Sequence, residues 1–227
     1  MDQSTDAHMS PEEQAISKLM AAPYAIGEEQ IAALEGFFRE LRRIDERVTA
    51  ASPNRLYESQ WALLGIVSRS YQLMLCCVEQ IARGNWNGFY AAARGLAETL
   101  GSVAWACENP ERLTALVGTD QLRNKALLDA ARRKHPGFGD TYSTLTSVVH
   151  PNRDAHLLSP RPVSRPGEER IMSPFTLGFS DHFARQKIGI IVDLGPSIIS
   201  ELASLLDQGP DVPRRGRVMA WLHLRSD

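Results

Sequence analysis

Two sets of side chains in this 227-residue chain have types and spacing suited to chemistry. The first is Arg94 with Glu98, four residues apart and so on one face if the segment is helical, close enough to touch. They are the only charged residues between Phe89 and Cys107. An unpaired charge in so apolar a stretch costs several kcal/mol, so the two must meet each other or polar groups of a neighbouring helix. Two outcomes satisfy that requirement. One is a buried ion pair that ties helices together, and the other is an arginine held by Glu98 and presented to an anionic ligand. The second set is the segment Tyr142 to His150, in which Tyr142, Thr146 and His150 recur at helical spacing opposite Leu145, Val148 and Val149. This pattern is either a solvated polar face or a row aimed at a cleft, with His150 able to move a proton near neutral pH. Arg153, Asp154 and His156, just beyond Pro151, form a weaker loop candidate.

Other chemistries lack their residues. There is no glycine-rich phosphate loop, no HExxH and no GxSxG. Cys76, Cys77 and Cys107 are odd in number, form no CxxC pair and lie in apolar runs, which predicts buried thiols in a reducing compartment rather than metal ligands or disulfides. The residues point to no cofactor and no metal. The formal charge of -2 gives no global basic field for nucleic acid, although local clusters such as Arg132-Arg133-Lys134 and Arg214 to Arg217 remain. The first residues, MDQSTDAHMS, are polar and acidic, unlike a signal peptide, so the expected location is the cytoplasm. The stretches 61–82 and 86–107 are long enough to span a membrane. Each carries two interior charges (Arg69 and Glu79, Arg94 and Glu98), and each charge costs about 2.5–3.5 kcal/mol on insertion. Both stretches are therefore read as core helices, with no membrane contact expected.

The elements that position these residues follow from periodicity and caps. The pattern predicts residues 1–9 disordered, one helical domain over 10–207 and a C-terminal tail over 208–227. Ser10-Pro11-Glu12-Glu13 opens a short helix. A second runs from Gly27, with Ile31, Leu34, Phe38, Leu41, Ile44 and Val48 as its stripe. A third runs from about Leu56 to Ala82, with Trp61, Leu64, Val67, Tyr71, Leu75, Val78 and Ile81. Gly84-Asn85 then stops one helix and caps the next, about 86–108, apolar almost all round and hence central. The tight turn makes these two an antiparallel hairpin that places Tyr71 and Gln72 opposite Glu98. Pro110 and Asp120 begin further short helices, and Asp140 caps one that ends at His150. The prolines and glycines of 151–180 predict an irregular excursion, with Leu157–Val163 paired to Arg170–Leu177 around Pro166-Gly167. The last helix starts at Asp181 and is kinked or broken at Gly195-Pro196. The expected class is all-α: an up-down bundle of about five to seven helices.

Arg94-Gly-Leu-Ala-Glu98, the following Asn109-Pro110, and Tyr142-x-x-Leu145-Thr146-x-x-Val149-His150-Pro151 resemble a widespread family of bacterial helical proteins. That family pairs an Arg-x-Leu-x-Glu helix with a Tyr-x-x-Leu-Ser-x-x-Val-His segment. The likeness covers about residues 60–155, and Thr146 keeps the hydroxyl of the usual serine. The family is in turn distantly similar to the HEPN domains, helical bundles that often act as ribonucleases in toxin and phage-defence systems. That likeness implies a stress or defence protein acting on RNA, with Tyr142 and His150 catalytic and Arg94, Glu98 and Thr146 binding the ligand. It departs from HEPN nucleases in one respect: their Arg-x(4–6)-His spacing occurs here only at Arg217 and His223, and no arginine stands at that distance before His150. The alternative is a non-enzymatic ligand- or protein-binding module, and a homodimer through a helical face is expected with either. In both cases Arg94, Glu98, Tyr142 and His150 should converge on one pocket.

Overall fold

The computed structural model describes the chain apart from residues 1–8, 24, 53–54, 117–123, 150–160, 166–167, 173–180, 210–211, 215, 217 and 222–227. Among the described residues it is an all-α bundle of seven helices with two short strand pairs at its margins. The helices are α1 (Pro11–Met20), α2 (Glu28–Ala50), α3 (Glu58–Ala82), α4 (Trp86–Glu108), α5 (Asn124–Lys134), α6 (Phe138–Val149) and α7 (Asp181–Asp207), and a 3-10 turn, Pro110–Leu116, links α4 to α5.

Helix starts and stops obey local chemistry. Ser10 Oγ accepts from the Glu13 N–H at 3.3 Å while Glu13 Oε2 accepts from the Ser10 N–H at 2.7 Å, a reciprocal cap at α1. Gly84 takes φ 65°, ending α3 in the left-handed region, and the Asn85 side chain accepts from Gly88 N–H at 3.2 Å to start α4.

The packing makes α4 the centre, with fifteen of its 23 residues buried. Burying side chains such as Phe89, Leu96 and Leu100 contributes about 1.5–3 kcal/mol each. Helix directions follow from the contacts. Gln60 Nε2 donates to Val48 O at 3.0 Å and Arg69 Nε donates to Thr99 Oγ1 at 3.2 Å, so α2, α3 and α4 alternate in direction. Lys187 lies by Tyr90 and Cys107 by Glu201, which sets α7 parallel to α4. Gly101 permits close approach of α5, because a Cβ there would stand 3.0 Å from the Leu127 carbonyl oxygen.

Several expectations need correction. Residues Arg55–Tyr57 form a strand, β1, ahead of α3. The C-terminal segment is more than a tail: its strand Val218–Trp221 pairs antiparallel with β1, and Arg214 Nε donates to Ala51 O at 2.7 Å. Asp140 lies in the first turn of α6 rather than capping it, since the helix already begins at Phe138. The hairpin expected in the excursion is present in the expected register, Val163 opposite Arg170, as Arg161–Arg165 against Glu168–Met172, while the outer parts of the expected strands, 157–160 and 173–177, lie outside the described residues. The α7 helix continues through Pro196. Gly195 is required by packing, not by a break, since a Cβ there would meet the Phe37 ring at 2.9 Å and Met74 at 3.2 Å. Finally, α3 buries Leu63, Ile66 and Met74 and leaves Trp61 exposed. An apolar helix offers more than one candidate stripe, and the neighbouring helices select among them.

Candidate functional site

Arg94 and Glu98 are on one face of α4, as their spacing requires, with Arg94 Nε donating to Glu98 Oε1 at 3.1 Å. The Tyr142 hydroxyl of α6 donates to the same oxygen at 3.2 Å, and the Arg94 guanidinium carbon is 6.0 Å from the Tyr142 ring centroid. Phe138 stacks on Tyr142 with centroids 5.9 Å apart and fixes the ring. Three of the four residues expected to converge therefore do so from helices 44 residues apart. Burial alone would lower the ionisation range of Arg94, but its contacts with Tyr142 and Glu98 outweigh this and hold it above the ordinary arginine value. The guanidinium is a permanent cation here. The Arg94 and Glu98 side chains retain 24% and 27% exposure, so the pair sits in a water-reachable wall and not in sealed core.

Thr146 is one turn beyond Tyr142 on α6. Its Oγ1 is buried and has no hydrogen-bond partner among the described residues. A hydroxyl withdrawn from water without a partner costs about 1–3 kcal/mol, and such a group is a natural donor or acceptor for a bound ligand. His150, the next position at that spacing, lies outside the described residues, as do Arg153, Asp154, His156, Arg217 and His223.

Tyr71 and Gln72 do not face Glu98. The Tyr71 hydroxyl donates to Glu12 Oε2 of α1 at 2.7 Å, and burial with this contact pushes its ionisation up to about 12. Gln72 is exposed and bonds Ser68 on its own helix. The α3 residue that does reach the site is Arg69, with Nη2 3.9 Å from Glu98 Oε2. Arg69 and Thr99 are symmetric about Gly84, so the hairpin register with its axis at that glycine was the signal that identifies it.

A second polar cluster joins α4, α5 and α7. Glu201, 8% exposed, accepts from Lys134 Nζ at 2.6 Å and is 3.1 Å from His135 Nε2. Burial would raise its carboxyl, but the contacts with Lys134, the Cys107 thiol and His135 together outweigh burial and hold it below the ordinary range. The Cys107 thiol donates to the Glu201 carbonyl at 3.1 Å, and burial with the nearby Glu201 carboxylate pushes it up to about 12, so it is a donor and not a nucleophile. Among the described residues no group of three His, Cys, Asp or Glu is placed to hold a metal ion. A groove of about 1050 Å³ runs between α1 and α2, lined in part by Met9, Ile16, Met20, Phe38, Arg39 and Arg43, and includes none of the four α4 and α6 residues.

The chain matches no family model, no curated protein and no solved structure.

Proposed function

We propose that this chain is a ligand-binding helical protein of HEPN-like design, in which Arg94, Glu98, Tyr142 and Thr146 hold a phosphate group of RNA or of another phosphate-bearing ligand. The observation that carries the reading is the state of Arg94: permanently charged, oriented by Glu98 and Tyr142, and a quarter exposed to solvent. A structural ion pair needs no such opening, whereas an arginine fork fixed by a carboxylate is pre-organised for a second oxyanion. The Thr146 hydroxyl, one turn along α6 and without a partner among the described residues, supplies a further polar contact. A second reading, ribonuclease action, is favoured by the spacing of Tyr142, Thr146 and His150, which would add a general acid or base to the same row.

Calorimetric titration with methyl phenyl phosphate, a small phosphodiester, tests the binding reading. Wild type binds and Arg94→Gln does not. Equal binding, or none by either, overturns it. Incubation with mixed-sequence RNA separates the second reading, since cleavage lost in His150→Ala would make the protein a nuclease. A cytoplasmic, membrane-free homodimer belongs to the same proposal. Helices α3 and α7 are long and apolar enough to span a bilayer by length and composition, but Arg69, Glu79, Asp193 and Glu201 would enter it with them. Flotation with liposomes and light scattering of the purified chain check both points.

A further inference from the structure

Among the described residues four large apolar side chains are exposed, and two of them, Met9 at 48% and Met20 at 64%, stand on the groove between α1 and α2. Apolar side chains left in water around a concavity mark a surface shaped for an apolar ligand. Ile16 of α1 and Phe38 of α2, both buried, form the floor. At Met20 and Glu35 the groove joins a second depression of about 350 Å³, which Ile26 and Ile31 line, with the exposed Glu28 on its rim. Together they make one channel along α2 from Glu28 to Glu46, about 27 Å at the helical rise per residue. The channel needs no ligand to form it. The Glu12 carboxylate of α1 is buried against the Arg42 guanidinium of α2 and accepts from the Tyr71 hydroxyl of α3 at 2.7 Å, which fixes α1 on both helices.

Cations occupy one end of this channel. The stretch lined by Ile26 and Ile31 has none among the described residues, whereas the stretch beyond Glu35 carries Arg39, Arg42 and Arg43, with Glu46 past them. Arg42 is engaged by Glu12, and Glu13 is engaged by the Ser10 N–H. Arg39 and Arg43 both contact Glu40, at 3.9 Å and 2.7 Å, and keep 63% and 65% exposure. Glu35 and Glu46 flank them, so an anion in the channel is confined to the turn between. From Arg39 back to Ile31 is about 12 Å along the helix. An amphipathic helix separates polar from apolar across its axis. A molecule with a charged head and an apolar tail separates them along its length, as this channel does. We propose that the channel binds one anionic amphiphile of the long-chain carboxylate class, its head at Arg39 and Arg43 and its tail laid over Phe38 and past Met20 to Ile26 and Ile31. The flexible thioethers of Met9 and Met20 close on the tail. The site shares no residue with the α4 and α6 cluster and is independent of the phosphate-binding reading.

The test is a fluorescence titration of the full chain with dansylaminoundecanoate and with its uncharged methyl ester, which share one tail. Wild type should bind both and prefer the carboxylate about fivefold, the sum of two exposed charge contacts. The preference should fade as salt is raised, because both cations face water. That readout needs no variant. Replacing Arg39 and Arg43 together by glutamine should bring the two affinities level. Met20→Glu, at an exposed position outside the core, should weaken both probes about tenfold. No binding by wild type, no preference for the carboxylate, or affinities unmoved in both variants overturns the inference. Flotation with phosphatidylglycerol liposomes without probe binding would make the groove a membrane face and overturns it too. A light-scattering mass that Met20→Glu halves while probe binding persists would make it a contact between copies, with the same consequence. None of these results bears on Arg94-dependent phosphate binding.

Discussion

Replacing Glu201 with glutamine should destabilise the fold by about 2 kcal/mol at neutral pH while leaving its shape unchanged. The residue is 8% exposed and receives two donors from the end of α5, Lys134 at 2.6 Å and His135 at 3.1 Å. A hydrogen bond to a charged group contributes about 1.5–3 kcal/mol. Both donors keep some solvent access, with side-chain exposures of 29% and 21%, so water recovers part of what the pair loses. One full charge-assisted contact is therefore the expected loss. For a chain of this size about 2 kcal/mol lowers the melting temperature by about 4–8 °C. The effect must also titrate. The folded carboxyl lies below its ordinary value near 4.5, so its stabilisation is present above that value and is lost as pH falls through the folded value. Thermal circular dichroism at pH 7.5 and pH 3 measures both parts. The comparison variant is Glu108→Gln, which removes an exposed pair with Arg133 and should move the melting temperature far less. A Glu201→Gln melting point within 1 °C of wild type, or a deficit undiminished at pH 3, would refute this account of the cluster.

Thr146→Val removes a buried hydroxyl that has no partner among the described residues and should raise stability by about 1 kcal/mol, read as a melting rise of about 2–4 °C, while weakening phosphate-ester binding. A simple loss of stability would show that the hydroxyl is satisfied. Gly101→Ala gains about 1 kcal/mol of helix propensity but forces a methyl within 3.0 Å of the Leu127 carbonyl, so a net loss of about 1 kcal/mol in urea unfolding is expected. Gly216 has φ 85°, and a Cβ there would lie 2.6 Å from Glu58 Oε2. Gly216→Ala should therefore loosen the C-terminal strand by about 1–2 kcal/mol and speed limited proteolysis beyond Asp207 without lowering the melting temperature of the bundle.

The bundle was legible because its main signals are local. Caps at Ser10 and Asn85, the stop at Gly84 and the nearly uncharged run of α4 each fix an element without reference to its neighbours. Arg94 with Glu98 was legible for the same reason, and Tyr142 followed from the need to satisfy two charges in an apolar helix. What remained hidden depends on relative rotation and long-range pairing. The choice between Tyr71 and Arg69 as the partner of Glu98 turns on helix phase, which periodicity of an apolar helix does not set. The β1 pairing with Val218–Trp221 joins segments some 160 residues apart, and three or four residues carry too little pattern to reveal it. Lys187 looks like an ordinary surface lysine until α7 is set parallel to α4, and Gly195-Pro196 reads as a break until Phe37 is seen to need the space.

The most direct test of the central claim follows the Arg94 Nε–Hε signal by NMR while methyl phenyl phosphate is added, with the resonance assigned by its disappearance in Arg94→Lys. An arginine fixed by Glu98 and Tyr142 and open to a ligand should show a slowly exchanging Nε–Hε that shifts saturably with the phosphate ester and is unmoved by an equal concentration of chloride. A signal that stays in place at saturating ester would contradict the account and reduce Arg94 and Glu98 to a structural ion pair.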